Sequence, residues 1–154
     1  AIGYNWGAKN YGRVKSIVKC AYIGTAIIGF VSTAFLFFFS GTVASWFVNA
    51  EDFRLLELAA HAIGLFCFAY LFRWINVTTQ SYFSAIEKPM QATVISVGTA
   101  FVFPVVLLGG LWGLGLDGIW LNFVFVNVIA GILSVVLLLR LMKEIRRREK
   151  EQSF

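Results

Sequence analysis

The stretch CAYIGTAIIGFVSTAFLFFFS, residues 20–40, decides the fold class. It holds no charged side chain over about twenty positions, the length a helix needs to cross a hydrocarbon core of about 30 Å. Helices in soluble cores are rarely so uniformly apolar, so the segment predicts a membrane span. Three further stretches of this kind follow. Residues 118–139, GIWLNFVFVNVIAGILSVVLLL, are equally free of charge. Residues 58–80 include His61 and Arg73, and residues 91–114 include Pro104 and no charge. The expectation is an all-α integral membrane protein of four transmembrane helices, with a basic tail over residues 140–154.

Composition agrees, with 59% hydrophobic and 14% charged residues and a mean hydropathy of +0.79. The net charge of +5 is therefore no nucleic-acid footprint, and its meaning lies in its placement. Lys9, Arg13, Lys15 and Lys19 precede the first span, and Arg140, Lys143, Arg146, Arg147, Arg148 and Lys150 follow the fourth. The gap after span one holds Glu51, Asp52, Arg54 and Glu57, and the gap before span four holds Asp117. By the positive-inside rule both termini and the Glu87-Lys88-Pro89 turn fall on the cytoplasmic side. The basic start does not read as a cleavable leader, because its apolar run is too long and three spans are expected to follow. The chain opens Ala-Ile-Gly without Met, which hints at a portion upstream. Cys20 and Cys67 show no metal or redox spacing and read as packing residues.

The connectors are short. Asn10 is placed to cap a helix opening at Tyr11. Asn49-Ala50-Glu51-Asp52 breaks the chain before the second helix, and Pro89 starts the third. Glycines 109, 110, 113, 115 and 118 crowd the turn into the fourth. Gly109 and Gly113 form a GxxxG that reads as hairpin geometry ahead of a dimer motif.

Polar groups at membrane depth are costly and face a protein interior or a wet cavity. Tyr70, Arg73, Asn76 and Gln80 recur at steps of three, three and four, one face of a helix, with Thr79 beside it. Arg73 sits about fifteen residues, or about 20 Å, from the cytoplasmic end, beyond easy snorkelling. Its guanidinium needs an anion, carbonyls or water, and the spans contain no acid. Two readings stay open: structural pairing with a neighbouring helix, or the wall of a solute or ion pathway. Asn127 and Ser134 form a second polar face, around Ala130 and Gly131, that suits close packing or a cavity wall. Trp112, Trp120 and Asn122 are expected near the outer interface. Pro104 should kink the third helix, with Ser96 and Thr99 satisfying the freed backbone. His61 reads as an interfacial residue before a proton sensor. There is no Ser/His/Asp set, HExxH, intramembrane acid pair or phosphate loop, so an enzyme is not expected and no metal ligands or cofactor are assigned. The run LMKEIRRREKEQ reads as a basic helix at anionic headgroups.

Four segments resemble the multidrug and toxic compound extrusion (MATE) transporters. GYNWGAKNYGRVK at 3–15 resembles that family's lead into a helix, and ASWFVNAEDFRLLELAAHAI at 44–63 its outer loop. QSYFSAIEKPMQATVISV at 80–97 resembles its cytoplasmic turn, and FPVVLLGGLWGLGLDGIW at 103–120 its final hairpin. Singly each is weak; in the family's order and spacing they are specific.

The resemblance implies a multi-pass protein of the bacterial cytoplasmic membrane with twelve helices in two bundles, this chain supplying helices nine to twelve. It implies export of cationic amphipathic drugs or toxins in exchange for Na⁺ or H⁺, with no covalent chemistry and with the missing N-terminal helices and the lipid bilayer as partners. The coupling ion would be bound largely outside this chain, whose second span carries Arg73 where some members carry an acid. The last helix has Phe123, Val124 and Asn127 in place of a proline and acid often found there. On this basis Arg73, Asn76, Gln80, Tyr70 and Asn127 would face the transport pathway. A lipid-linked saccharide flippase of the same superfamily, and a self-contained four-helix assembly subunit, are the alternatives.

Overall fold

A computed structural model describes residues 1–49 and 52–152, with side chains described as far as Arg147. Ala50 and Glu51 of the expected break, and the side chains of Arg148 and Lys150 in the basic tail, lie outside the described residues. The described residues are helical, with no strand among them. The helices are α1 (Ile2–Gly7), α2 (Tyr11–Phe38), α3 (Ser40–Ser45), α4 (Phe53–Phe66), α5 (Tyr70–Ala85), α6 (Pro89–Val97), α7 (Phe103–Leu111) and α8 (Gly115–Gln152).

Local signals account for the starts. The Asn10 side chain accepts from the Arg13 amide at 3.3 Å and opens α2 at Tyr11, as expected. Asp52 caps α4 in the same way, accepting from the Leu55 amide at 3.1 Å. Pro89 stands in the first turn of α6, where its missing N–H costs nothing.

Three helical stretches among the described residues are long and apolar enough to cross a membrane: Tyr11–Phe38, Phe53–Ala85 and Pro89–Arg147. The third, 59 residues, doubles back at Gly115. There φ is +60° and ψ is −132°, a region open to glycine and strained for any side chain. α7 and α8 consequently lie side by side, close enough for Asn122 Nδ2 to donate to the Pro104 carbonyl at 3.1 Å. In a straight helix those residues would stand about 27 Å apart.

Direction follows from the cross-helix bonds. On α2 and the second stretch the partners run oppositely, Tyr22 with Thr79, Thr25 with Thr78 and Thr33 with Cys67, so the two are antiparallel. Between the second stretch and α8 the partners climb together, His61 with Asp117, Asn76 with Asn127 and Ser134, Lys88 with Glu144, so these run parallel. Neighbouring connectors therefore alternate between two ends of the bundle. One end gathers Lys9, Arg13, Lys88, Arg140, Lys143 and Arg147; the other holds Asp52, Arg54, Glu57 and Asp117.

The apolar core sits at the basic end. Tyr11, Val14 and Val18 of α2 meet Tyr82, Phe83 and Ile86 from the end of α5, Ala92 and Ile95 of α6, and Leu141 and Ile145 of α8. At the far end no side chain of α4 or α7 is buried. There the helices splay around an opening of about 900 Å³ lined by Phe37, Leu58, Leu65, Phe68 and Leu116 with Arg54, Glu57 and His61.

Two features depart from simple spans. The second stretch is interrupted by a 3₁₀ turn at Cys67–Ala69, where Thr33 of α2 donates to the Cys67 carbonyl at 3.3 Å. It also continues to Ala85, five residues past the expected end. Just ahead of Pro104, where a kink is expected, the helix runs through a π-helical turn, Gly98–Val102. Thr99 donates to the Ile95 carbonyl at 2.7 Å there, as expected of that side chain.

Candidate functional site

A cleft of about 500 Å³ lies between α5, the α6–α7 stretch and α8. Its walls bring together Arg73, Asn76 and Gln80 of α5, Ser96, Thr99 and Pro104, and Asn122 and Asn127 of α8. Val77, Ile95, Phe123 and Val126 make up its apolar surface. Four of the five residues expected to face a pathway, Arg73, Asn76, Gln80 and Asn127, thus line one cavity, together with Pro104. Tyr70 does not: it lines a neighbouring groove of about 260 Å³ between α2 and α5, with Thr25, Gly29, Trp74 and Thr78. Arg73 lies on the ridge between cleft and groove and lines both.

The polar side chains divide into two sets. Asn76 donates through Nδ2 to the Asn127 carbonyl at 3.1 Å and to Asn127 Oδ1 at 3.2 Å, and its Oδ1 accepts from the Ser134 hydroxyl at 3.3 Å. Asn127 Nδ2 donates to the Phe123 carbonyl at 2.8 Å. All three residues are buried, and both ends of the Asn76 amide are spent on joining α5 to α8. Gly131 packs beside this contact, with the Asn76 oxygen at 3.7 Å, an ordinary van der Waals distance, from where a Cβ would stand. Asn76 and Asn127 therefore tie the cleft wall together from behind.

The second set is unspent. Among the described residues, the side chains of Arg73, Gln80 and Ser96 make no hydrogen bond or ion pair, and no acid lines the cleft. Arg73 lies twelve residues from the end of the Phe53–Ala85 stretch, about 18 Å from the basic end. A guanidinium at such depth is costly unless an anion, carbonyls or water meet it.

Two parts of the arrangement were missed. Asn122, expected at the interface, is buried at 8% exposure, and its Oδ1 has no donor. Its amide cannot be turned round, because the Pro104 carbonyl it faces only accepts. Between α2 and α5 runs a hydroxyl ladder in which Tyr22 bonds Thr79 and Thr78 donates to Thr25 at 2.9 Å. Its signal was a Tyr and a Thr three apart in a span that otherwise reads as featureless. Trp112 is exposed, while Trp120 meets the His61 ring edge-on, and His61 Nε2 lies 3.1 Å from Asp117 Oδ1 in an exposed pair. Cys67 is buried and donates to the Gly64 carbonyl, while Cys20 is exposed. Among the described residues no group of three or more His, Cys, Asp or Glu side chains is placed to hold a metal ion.

No curated protein and no solved structure matches the chain. The family model MatE matches residues 1–108, which takes in α1 to α6 and most of α7 and includes the α5 and Pro104 walls of the cleft. With that match over more than half of a helical, multi-pass membrane chain, the protein belongs to the MatE family of transporters.

Proposed function

We propose that the chain is part of the second bundle of a secondary active exporter that works by alternating access, exchanging Na⁺ or H⁺ for cationic amphipathic compounds. Four crossings, 20–40, 58–80, 91–114 and 118–139, would place both termini and the basic end on the cytoplasmic side. The antiparallel and parallel pairings and the gathering of basic residues at one end support this topology.

The observation that carries the proposal is the cleft at membrane depth, with Arg73, Gln80 and Ser96 unspent on its walls. Such cavities, mostly apolar with a few convergent polar groups, are the form small-molecule sites take. The sealed core at the basic end and the splay at the other correspond to a state closed to the cytoplasm and open outward. The resemblance implies cationic cargo, whose charge and coupling ion need carboxylates that this cleft lacks; helices beyond this chain would supply them. A saccharide flippase is less favoured, because a polyanionic cargo calls for many cations and the cleft offers Arg73 alone.

The test is efflux of ethidium from cells carrying the intact protein. Arg73→Ala and Gln80→Ala are expected to reduce efflux several-fold at unchanged membrane abundance. Wild-type efflux in both would leave these side chains a packing role only.

A further inference from the structure

We propose, resting on the reading of the chain as part of an alternating-access exporter, that its second stretch moves as two pieces. α4 swings on the Cys67–Ala69 turn, held to α8 by an acid-engaged His61–Asp117 latch, while α5 stays fastened in the bundle.

The two halves are bound differently. On one side of the turn, α5 is tied to α2 through the Tyr22–Thr79 and Thr25–Thr78 bonds, and to α8 through the bonds of Asn76 with Asn127 and Ser134. On the other side, among the described residues, the side chains of α4 make one bond to another helix, from His61 to Asp117. Helices beyond this chain can cover α4 without changing that contrast, because the pivot and the latch both lie within the chain.

The pivot is local. A 3₁₀ stretch inside a long helix is a common mark of a hinge, and here it interrupts the stretch at Cys67–Ala69. Thr33 of α2 donates to the Cys67 carbonyl at 3.3 Å and pins the turn itself. Three residues before the turn, Gly64 has open space where a Cβ would stand. α3 packs on α4 and meets α2 at a second break, Phe39, so that α3 and α4 can travel together. They border the outer opening through Ser40 of α3 and Arg54, Glu57 and His61 of α4, and their swing sets its width.

The latch responds to acid. The groups around His61 are Asp117 and the uncharged Trp120 from α8, and Arg54 and Glu57 from its own helix; Phe37 of α2 and Ser40 of α3 bring no charge. An imidazole gains its charge as pH falls from about 8 to about 5, so the contact is an ion pair in acid and a neutral hydrogen bond in alkali. The added hold is therefore present at low pH and lost as pH rises. Both partners are exposed, and an exposed pair shifts an equilibrium by no more than about fivefold, so the latch biases α4 without locking it.

The test uses the intact protein with Cys20 and Cys67 replaced by serine. In nanodiscs, spin labels on Leu55→Cys and Ile119→Cys follow α4 against α8, and labels on Ser81→Cys and Ile132→Cys follow α5 against α8, all four positions being exposed. The first distance distribution is expected to be narrow at about pH 5 and to broaden at about pH 8, while the second stays unchanged. With the same labels, His61→Ala should be broad at both pH values, and His61→Arg, which keeps a cation, narrow at both. A first distribution no broader than the second at either pH overturns the swing. A breadth indifferent to pH, or one that still follows pH in His61→Ala, overturns the latch. In vesicles, His61→Cys and Asp117→Cys are then bridged by a short bis-methanethiosulfonate. Bridging is expected to stop ethidium transport, and reductant to restore it. A bundle that rocks as a rigid body would go on transporting with α4 and α8 bridged, so full transport in the bridged protein also overturns the proposal. An absence of ethidium transport in the wild type sinks the exporter reading alone, since the distances are measured without it.

Discussion

Asn76 and Arg73 stand one turn apart on α5 and do different work. Asn76 uses both ends of its amide to join α8, so Asn76→Leu strands the Asn127 and Ser134 side chains in a buried contact. A cost of about 1–3 kcal/mol is expected, read, with Cys20 replaced by serine, as a fall in thermal midpoint with a thiol-reactive dye reporting exposure of Cys67. Arg73→Gln, which loses no bond within the described residues, should leave that midpoint near wild type. Gly29 gives a third case. A Cβ there would stand 2.6 Å from Trp74 Cδ1, so Gly29→Val should drive α2 from α5 and lower membrane abundance, and adding Trp74→Ala should recover part of it. The polar face of α5 was legible in its spacing. Which of its members were spent and which were free was not, because that depends on what α8 places opposite. Asn122 shows the same limit: an amide near a span end reads as interfacial until α7 folds back over it.

Helix starts were the best-read elements, because a cap is a contact within four residues. Asn10 and Pro89 mark their helices in the sequence as they do in the structure. The breaks within helices were less legible. The turn at Cys67–Ala69 coincides with a bond from Thr33, 34 residues away, and no local pattern announces it. Pro104 suggested a kink, and nothing in the sequence announced the π turn at Gly98–Val102 ahead of it. The glycine cluster announced a reversal without showing which residue makes it, and the structure assigns it to Gly115. Gly115→Ala is accordingly expected to cost about 1–3 kcal/mol and to reduce the yield of folded protein. Gly110→Ala, with open space around its Cβ, should be tolerated, and the ratio of the two yields on size-exclusion chromatography checks the assignment.

Across the whole molecule, packing is uneven, and that unevenness gives the account its mechanical content. The core that seals the basic end joins four helices, and the Lys88–Glu144 ion pair ties the α5–α6 turn to the far reach of α8. Lys88→Gln should loosen that seal, raising the labelling rate of a cysteine at Ile145 by a cytoplasmic thiol reagent by several-fold. Charge placement made the two ends legible in sequence; the sealing of one and splaying of the other required the packed structure. The proposed transport requires the α5 cleft to be a watered solute path rather than a lipid-facing seam. The most direct measurement places a single cysteine at Gln80, with Cys20 and Cys67 replaced by serine, in the intact protein in membranes. Its reaction with a small water-soluble methanethiosulfonate is compared with that of a cysteine at the exposed, apolar Phe101. Position 80 is expected to react at least about tenfold faster than position 101 and to be slowed by a transported compound, as a water-filled cavity at membrane depth requires. Equal, slow reaction at both positions would contradict it.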